Sequence, residues 1–225
     1  MHLPIMESLE VSNLIVVESQ NDKFFIEAFI NKLNLKHIEV GTPICSIDEY
    51  ECLSGMGNLT MRLKEIKFDN YKKIGIILDA DNEGTNNRLE FINNCLKTIC
   101  NDIDIRKINK LEKSKELDIE IACYVMNIAD RGELETVLKA IKSVDSTFAD
   151  CLDSWRSCLK KKNKNISDKD FDKFWINNYL RFDTCSKSEQ KQAGIKCNNE
   201  AAMKKNIWDF DSPILDDLKK FIQLF

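Results

Sequence analysis

Apolar and polar positions follow two different periods along the first two thirds of the chain. Short apolar runs, typical of buried strands, occur at 9–19, 37–44, 72–80 and 116–127. Between these runs, apolar residues recur every three or four positions, as in amphipathic helices, at 21–34, 59–68, 85–100 and 132–144. Strands separated by helices of this length form parallel, right-handed crossovers that cover both faces of a sheet. The pattern therefore predicts an α/β domain over 1–145, with a mainly parallel sheet flanked by helices.

The last third of the chain shows only the helical period, at 148–161, 170–180, 200–205 and 213–225. We therefore predict an all-helical extension over 146–225, packed on the α/β domain. Its segment DFDKFWINNYL places four aromatic residues on one face, Phe171, Phe174, Trp175 and Tyr179. Such a face must be covered. The α/β domain is the expected cover, and a homodimer or partner-protein interface is the alternative.

Composition narrows the class of protein. The formal charge of −4 does not suit a protein that coats nucleic acid non-specifically, since that mode needs many Lys and Arg contacts to phosphates. No run approaches the roughly 20 apolar residues that span a bilayer, and the first residues lack a basic and then apolar leader. We expect a cytoplasmic protein with no membrane partner. Nine cysteines without a CxxC pair indicate reduced thiols rather than disulfides or zinc.

Acidic side chains follow two of the predicted strands. Asp79 and Asp81 come after the apolar run of KKIGIILDA, and Glu18 closes LIVVES. The carboxyl ends of parallel strands meet at one edge of a sheet, where ligands of open α/β folds bind. Clustered carboxylates raise one another's pKa unless a cation neutralises them, and Mg²⁺ prefers oxygen ligands. The pattern favours a Mg²⁺ or Mn²⁺ site; a loop that only caps the next helix is the alternative.

Three segments resemble the Toprim domain shared by topoisomerases, bacterial primases, OLD-type nucleases and small stand-alone Toprim proteins. They are VVESQNDKFF, SGMGNL and IILDADNEG, in the order that the domain has them. The segments GELETVL and AMKKNIWDFDSPILDDLKKFIQLF resemble the family DUF3226, and that resemblance covers nearly the whole chain. The first segment departs from the usual Toprim pattern, because Ser19 stands where glycine is common.

The resemblance implies roles for individual acids. Glu18, Asp79 and Asp81 match the Toprim glutamate and paired aspartates, which act as direct or water-mediated metal ligands. Asp22 lies one helical turn beyond Glu18, where it either supports the site or is a first-turn acid favoured by the helix dipole. Glu133 and Glu135 resemble an acidic pair that helps to hold a second metal in OLD-type nucleases. Glu135 fits that pattern better, and a solvated first-turn acid is the alternative.

The function that the resemblance implies is metal-dependent hydrolysis of phosphodiesters, by a nuclease that acts on DNA or RNA, with defence against phage as its setting. Lys23 and Lys187 are the candidates for stabilising the charge that develops on the phosphate. The basic run 186–196 is expected to reach over the acidic edge and contact phosphates. The alternative function is a non-catalytic Toprim-like module that binds nucleic acid, a nucleotide or a protein.

Overall fold

The structure, a computed structural model, describes residues 12–45, 56–192 and 197–225. Its strands are β1 Ser12–Val16, β2 Ile38–Val40, β3 Tyr71–Asp79, β4 Glu112–Ser114 and β5 Ile119–Met126. They form a five-stranded sheet in the order β2-β1-β3-β5-β4. Every pairing is parallel except that of β4 with β5. The expected α/β class with a mainly parallel sheet is confirmed, and β4 is an edge strand that the apolar pattern did not predict.

Helices follow the strands and then fill the last third of the chain. The α-helices of the described residues are α1 Gln20–Lys32, α2 Met56–Glu65, α3 Gly84–Leu96, α4 Leu134–Ala140, α5 Thr147–Asp150, α6 Leu152–Lys161, α7 Asp168–Asn178, α8 Lys187–Gln190, α9 Asn199–Met203 and α10 Asp216–Ile222. A π-helical turn, Tyr179–Asp183, continues α7. The helix expected over 148–161 is two helices that meet at Cys151. Among the described helices, none has the length and apolar character to cross a bilayer.

Each face of the sheet carries its own hydrophobic core, because successive side chains of a strand point to opposite faces. On β3, Ile74, Ile76 and Leu78 pack with residues of α2 and α3. Ile77 faces the other way and belongs to a core that also contains residues of α1, α4, α7 and α10. Gly75 also faces that second side, where a Cβ atom would lie 2.8 Å from the ring of Phe225. The glycine therefore lets the end of the chain pack directly on the central strand.

The C-terminal helices share a core with the sheet. Residues of α7, α9 and α10 belong to the same buried cluster as Ile15 of β1 and Tyr124 of β5. The π turn adds Tyr179, whose hydroxyl donates to the carbonyl of Ile207 at 3.1 Å. A C-terminal helical extension is therefore present, as expected, while its boundary at residue 146 stays a prediction.

Some cysteines form disulfide bonds, whereas the sequence led us to expect reduced thiols only. Cys185 and Cys197 are joined, with their Cα atoms 5.7 Å apart, and Cys45 is also disulfide-bonded. The expectation is wrong for these cysteines, because the turn after α7 and the start of α9 approach each other in the fold, which the spacing in sequence does not reveal. Cys95, Cys100 and Cys123 are free and buried, as expected.

Trp175 offers a test of how the helical extension is anchored. Its side chain is fully buried, stacks on Tyr179 with ring centroids 5.2 Å apart, and donates from Nε1 to Asp150 at 3.3 Å. We expect Trp175→Ala to lower the free energy of unfolding by about 3–5 kcal/mol, as a large-to-small change in a core. Urea denaturation measures the loss.

The neighbouring Phe174→Ala is the matched control, since that ring is 41% exposed. It should cost about 1 kcal/mol or less. Equal losses for the two variants would contradict the burial of Trp175 between the helices of the extension.

Candidate functional site

Glu18 and Asp79 meet where the two central strands end. β1 and β3 are neighbours, and the chain reverses its order across the sheet between them, the position at which open α/β sheets form a crevice. Glu18 follows β1, and Asp79 is the last residue of β3. The backbone N–H of Asp79 donates to Oε2 of Glu18 at 3.2 Å. The two acids are therefore joined directly, as the strand-end pattern predicted.

Asp22 joins this cluster from the first turn of α1. Ser19 caps the helix, and the Asp22 carboxylate accepts from the Ser19 backbone N–H at 2.8 Å and from its hydroxyl at 2.6 Å. The backbone of Ser19 is extended, with φ −124°. A glycine is therefore not required at this position for its conformational freedom. Asp22 has a structural role as a capping residue and is also 2% exposed beside the other acids.

Asp81 is held in place by the loop that precedes α4. Asp81 and Gly132 form an isolated β-bridge, in which the N–H of each donates to the carbonyl of the other at 2.9 Å. Gly132 has φ +93°, and a Cβ atom there would lie 2.9 Å from Oγ1 of Thr136. Glycine therefore permits the bridge, which brings the start of α4 to the acidic edge of the sheet.

Glu133 and Glu135 lie at the same edge but in different environments. Glu133 is the N-cap of α4, forms a capping box with Thr136, and is buried. Glu135 is in the first turn of α4 and is half-buried, and its charge raises the pKa of Asp79. The structure thus brings both members of the pair to the site, with Glu135 acting electrostatically on Asp79.

Two cations contact the acids that lie at the rim of the cluster. Lys169 of α7 places its Nζ 2.8 Å from Oδ1 of Asp81 and 3.1 Å from Oε2 of Glu133. Arg88 of α3 forms an ion pair with the other oxygen of Asp81. Neither residue was predicted from the sequence. Arg88 follows the DxD segment closely enough to have been considered, whereas Lys169 lies 88 residues beyond Asp81 and had no signal in the sequence.

The two lysines expected at the site lie elsewhere. Lys23 pairs along α1 with Glu27 at 3.8 Å, and Lys187 is exposed at the start of α8. Over the part of the chain that the structure describes, neither contacts Glu18, Asp79 or Asp81. Lys196 of the basic run and the first two residues of SGMGNL fall outside the described residues.

Burial and mutual repulsion disfavour charge on the central acids. Burial raises the pKa of Asp79 well above its ordinary value, and the charges of Asp22, Glu18, Glu135 and Asp81 raise it further. The pKa of Glu18 is raised by burial, against the opposing hydrogen bond from Asp79. Burial also raises the pKa of Asp22 to about 6. These carboxyl groups therefore keep their protons to higher pH than free carboxyl groups do, unless a cation lies beside them.

At the rim of the cluster, the pKa values of Glu133 and Lys169 depend on their ion pair as well as on burial. Burial raises the pKa of Glu133 to about 7, although Lys169 acts to lower it. For Lys169, burial disfavours the charged form, but the carboxylates of Asp81 and Glu133 outweigh this effect and raise its pKa. Lys169 is therefore a permanent cation at neutral pH.

The acidic edge has oxygen ligands suited to a metal ion, but they are not arranged around one. Within residues 12–45, 56–192 and 197–225, no group of three or more His, Cys, Asp or Glu side chains is arranged to hold one as it stands. The side chains are engaged instead: Asp22 with Ser19, and Asp81 with Arg88 and Lys169. The donor set itself fits, because buried carboxylates with raised pKa values are the oxygen ligands that a hard divalent ion neutralises.

The raised pKa values predict how stability depends on pH. Asp22 titrates near its ordinary value of 3.8 when unfolded and at about 6 when folded, so the folded state binds more protons between these values. Stability should therefore fall as the pH rises through this window, and the raised pKa of Asp79 extends the fall to higher pH. Asp79→Asn should be more stable than the wild type at about pH 7.5 and less sensitive to pH.

Thermal unfolding in EDTA at about pH 5 and about pH 7.5 measures this difference. Asp118→Asn is the matched control. Asp118 is exposed and immediately precedes β5, so it lies at the end of this strand away from the carboxylate cluster. A wild type and an Asp79→Asn variant with the same pH dependence would contradict the repulsion at the sheet edge.

Comparisons with known proteins give the family of this chain. No curated protein matches the chain. Among solved structures, the chain is similar to the C-terminal region of the OLD protein of Xanthomonas campestris pv. campestris, with 14% identity, a TM-score of 0.39, and coverage of 98% of this chain and 97% of that one. The model of the family DUF3226, described as "Protein of unknown function", matches residues 12–225, and this chain therefore belongs to that family.

Proposed function

We propose that this protein is a nuclease, a metal-dependent phosphodiester hydrolase that acts on DNA or RNA with Mg²⁺ or Mn²⁺. The observation that carries the proposal is the set of buried, mutually repelling carboxylates at the ends of two adjacent parallel strands, centred on Asp79. Structural ion pairs also shift pKa values, but carboxylates that are buried against one another at a sheet edge favour a functional site.

Metal binding is assigned to Glu18, Asp79 and Asp81, with Asp22 and Glu135 as supporting acids. A bound divalent ion would polarise the scissile phosphate and lower the pKa of a bound water. The backbone fixes the first two ligands, because the Asp79 N–H holds the Glu18 carboxylate. Asp81 is fixed through its bridge to Gly132.

Lys169 takes the role that the sequence suggested for Lys23 or Lys187. Its ammonium lies at the acidic edge and is shared by Asp81 and Glu133. Because these carboxylates raise its pKa, it stays charged and acts as an electrostatic stabiliser of a phosphate oxygen rather than as a general acid or base. Lys169 is 49% exposed, so a substrate at this edge can reach it.

One observation favours the alternative function. Lys169 already neutralises part of the acidic edge as an internal cation, and buried ion pairs of this kind also serve structure alone. A non-catalytic module that binds nucleic acid, a nucleotide or a protein would need nothing more.

Cleavage assays separate the two functions. We expect the wild type to cleave plasmid DNA, single-stranded DNA or RNA in Mg²⁺ or Mn²⁺ and not in EDTA. Asp79→Ala should lower the rate by at least about 100-fold through loss of a metal ligand, and Lys169→Met by about 100- to 1,000-fold through loss of charge stabilisation. Gel electrophoresis or release of a fluorophore from labelled substrate measures the rates.

Lys23→Met is the matched control for Lys169→Met, because Lys23 pairs only weakly with Glu27 on the surface of α1. Its rate should equal that of the wild type. Equal cleavage by the wild type and Asp79→Ala would identify a contaminating nuclease, and the absence of cleavage in every metal and substrate would favour the non-catalytic module.

Metal binding can also be detected without activity. A ligand that binds only the folded state stabilises it by about 2.7 kcal/mol at 100 times its Kd. Millimolar Mg²⁺ or Mn²⁺ should therefore raise the melting temperature of the wild type, and Asp79→Asn should reduce that rise. Asp118→Asn should keep the full rise, since Asp118 lies at the other end of β5. A melting temperature that is indifferent to both ions would contradict the metal site.

A further inference from the structure

The helical extension carries a set of exposed aromatic side chains that the proposed catalytic site does not use. The four rings are Phe148 of α5, Trp155 of α6, Phe174 of α7 and Phe182 of the π turn, and they are 39–61% exposed. Phe148 lies against Phe182 with ring centroids 6.0 Å apart, and Trp155 against Phe174 at 5.3 Å. We call these four residues the aromatic face. All the exposed aromatic side chains of the described residues belong to it.

The grouping of these exposed rings indicates a binding surface. Grouped apolar side chains on a protein surface mark interaction sites, whereas single ones are ordinary. The helix α6 has no buried residue. It is held by the Trp155–Phe174 contact and by Arg156, which lies over the ring of Phe171 at 4.5 Å and pairs with Asp168. The helix therefore presents Trp155 to solvent rather than burying it.

The stretch of chain that contains Trp155 and leads to Phe174 is positively charged. The segment 152–173 contains seven Lys and Arg against four Asp, in a chain of formal charge −4. Lysines 160, 161, 162 and 164 extend from the end of α6 and form no ion pair within the described residues. Three acids of the extension are engaged: Asp168 with Arg156, Asp172 with Lys139, and Asp183 with the backbone N–H groups of Phe148 and Ala149. The net positive charge of the stretch therefore complements a polyanion.

The aromatic face and the candidate catalytic site are both built partly from α7. Lys169, which contacts Asp81, lies in the first turn of this helix, and Phe174 follows in the next. At about 1.5 Å and about 100° per residue, Phe174 lies about 8 Å along the helix from Lys169 and about 140° around it. A strand that reaches both must therefore pass around α7.

We propose that the aromatic face binds single-stranded nucleic acid, with bases stacked on its rings and phosphates contacted by lysines of the same helical extension, and that the strand passes around α7 to the catalytic edge. The proposal rests on the proposed nuclease function and names its substrate class. Exposed aromatic rings bind unpaired bases, because each base has a free π-face, whereas the bases of a duplex are stacked on one another. DNA and RNA share this chemistry.

A second copy of the chain is the competing occupant. A stable dimer buries about 800 Å² on each partner, which is more than four half-exposed rings provide. A twofold interface would also bring two lysine-rich segments together, and like charges placed opposite one another disfavour association. Single-stranded nucleic acid satisfies both the rings and the charge.

The fluorescence of Trp155 can report the binding of nucleic acid to the aromatic face. The chain has three tryptophans, and Trp175 and Trp208 are buried, so quenching of tryptophan fluorescence by an oligonucleotide reports on Trp155. We expect oligothymidylate and oligouridylate of about 20 nucleotides to quench it in EDTA, where cleavage is absent. A duplex of the same length should bind more weakly. Trp155→Phe should remove the signal but retain binding, measured by anisotropy of a labelled oligonucleotide.

Two variants test stacking itself. Phe174→Leu and Phe182→Leu keep an apolar side chain but remove the π-face, and each should raise the Kd for the single strand by about 5- to 150-fold. Ile214→Ala is the matched control, since Ile214 is 41% exposed and lies outside the aromatic face. Unchanged affinity in both Leu variants, equal affinity for duplex and single strand, or a dimer that dissociates in these variants would overturn the proposal.

The outcomes also separate this proposal from the nuclease function. Binding through the rings without any metal-dependent cleavage would retain the aromatic face and reject the nuclease. Cleavage that depends on Asp79 but is unchanged in the two Leu variants, with no quenching of Trp155, would retain the nuclease and reject the aromatic face.

Discussion

The repulsion among buried carboxylates at the ends of β1 and β3 is the constraint on which the arrangement of this protein depends. Asp79 lies on the central strand of the sheet, and four other acids raise its pKa in addition to the effect of burial. Placing acids in such a position opposes folding unless charges or hydrogen bonds offset it. The surrounding elements supply those contacts from several directions.

Different elements relieve different parts of the cluster. Ser19 holds Asp22 through a capping box, and the backbone of Asp79 holds Glu18. At the rim, α3 supplies Arg88 and α7 supplies Lys169. The helical extension is therefore more than a cover for the sheet, because it inserts a cation into the acidic edge. The same extension also carries the exposed aromatic rings of the aromatic face.

The sequence predicted most of the sheet and the central acids, because both leave local signals. The apolar runs located β1, β2, β3 and β5, and the strand-end rule placed Glu18 beside Asp79. The contacts that depend on distant elements had no such signal. Lys169, the disulfide between Cys185 and Cys197, and the pairing of Trp155 with Phe174 join segments whose approach is decided by tertiary packing. The aromatic face was missed for the same reason, since its rings are scattered over three helical segments and a turn.

A crystal structure of the protein soaked in Mn²⁺, with anomalous scattering recorded, tests the central claim most directly. We expect an anomalous peak within coordination distance of Glu18 and Asp79, with the Asp81 carboxylate also bound to the ion and Lys169 still paired to Glu133. An acidic edge without such a peak at saturating Mn²⁺, and with the contacts of Lys169 to Asp81 and Glu133 unchanged, would contradict the metal site and identify the ion pairs as structural.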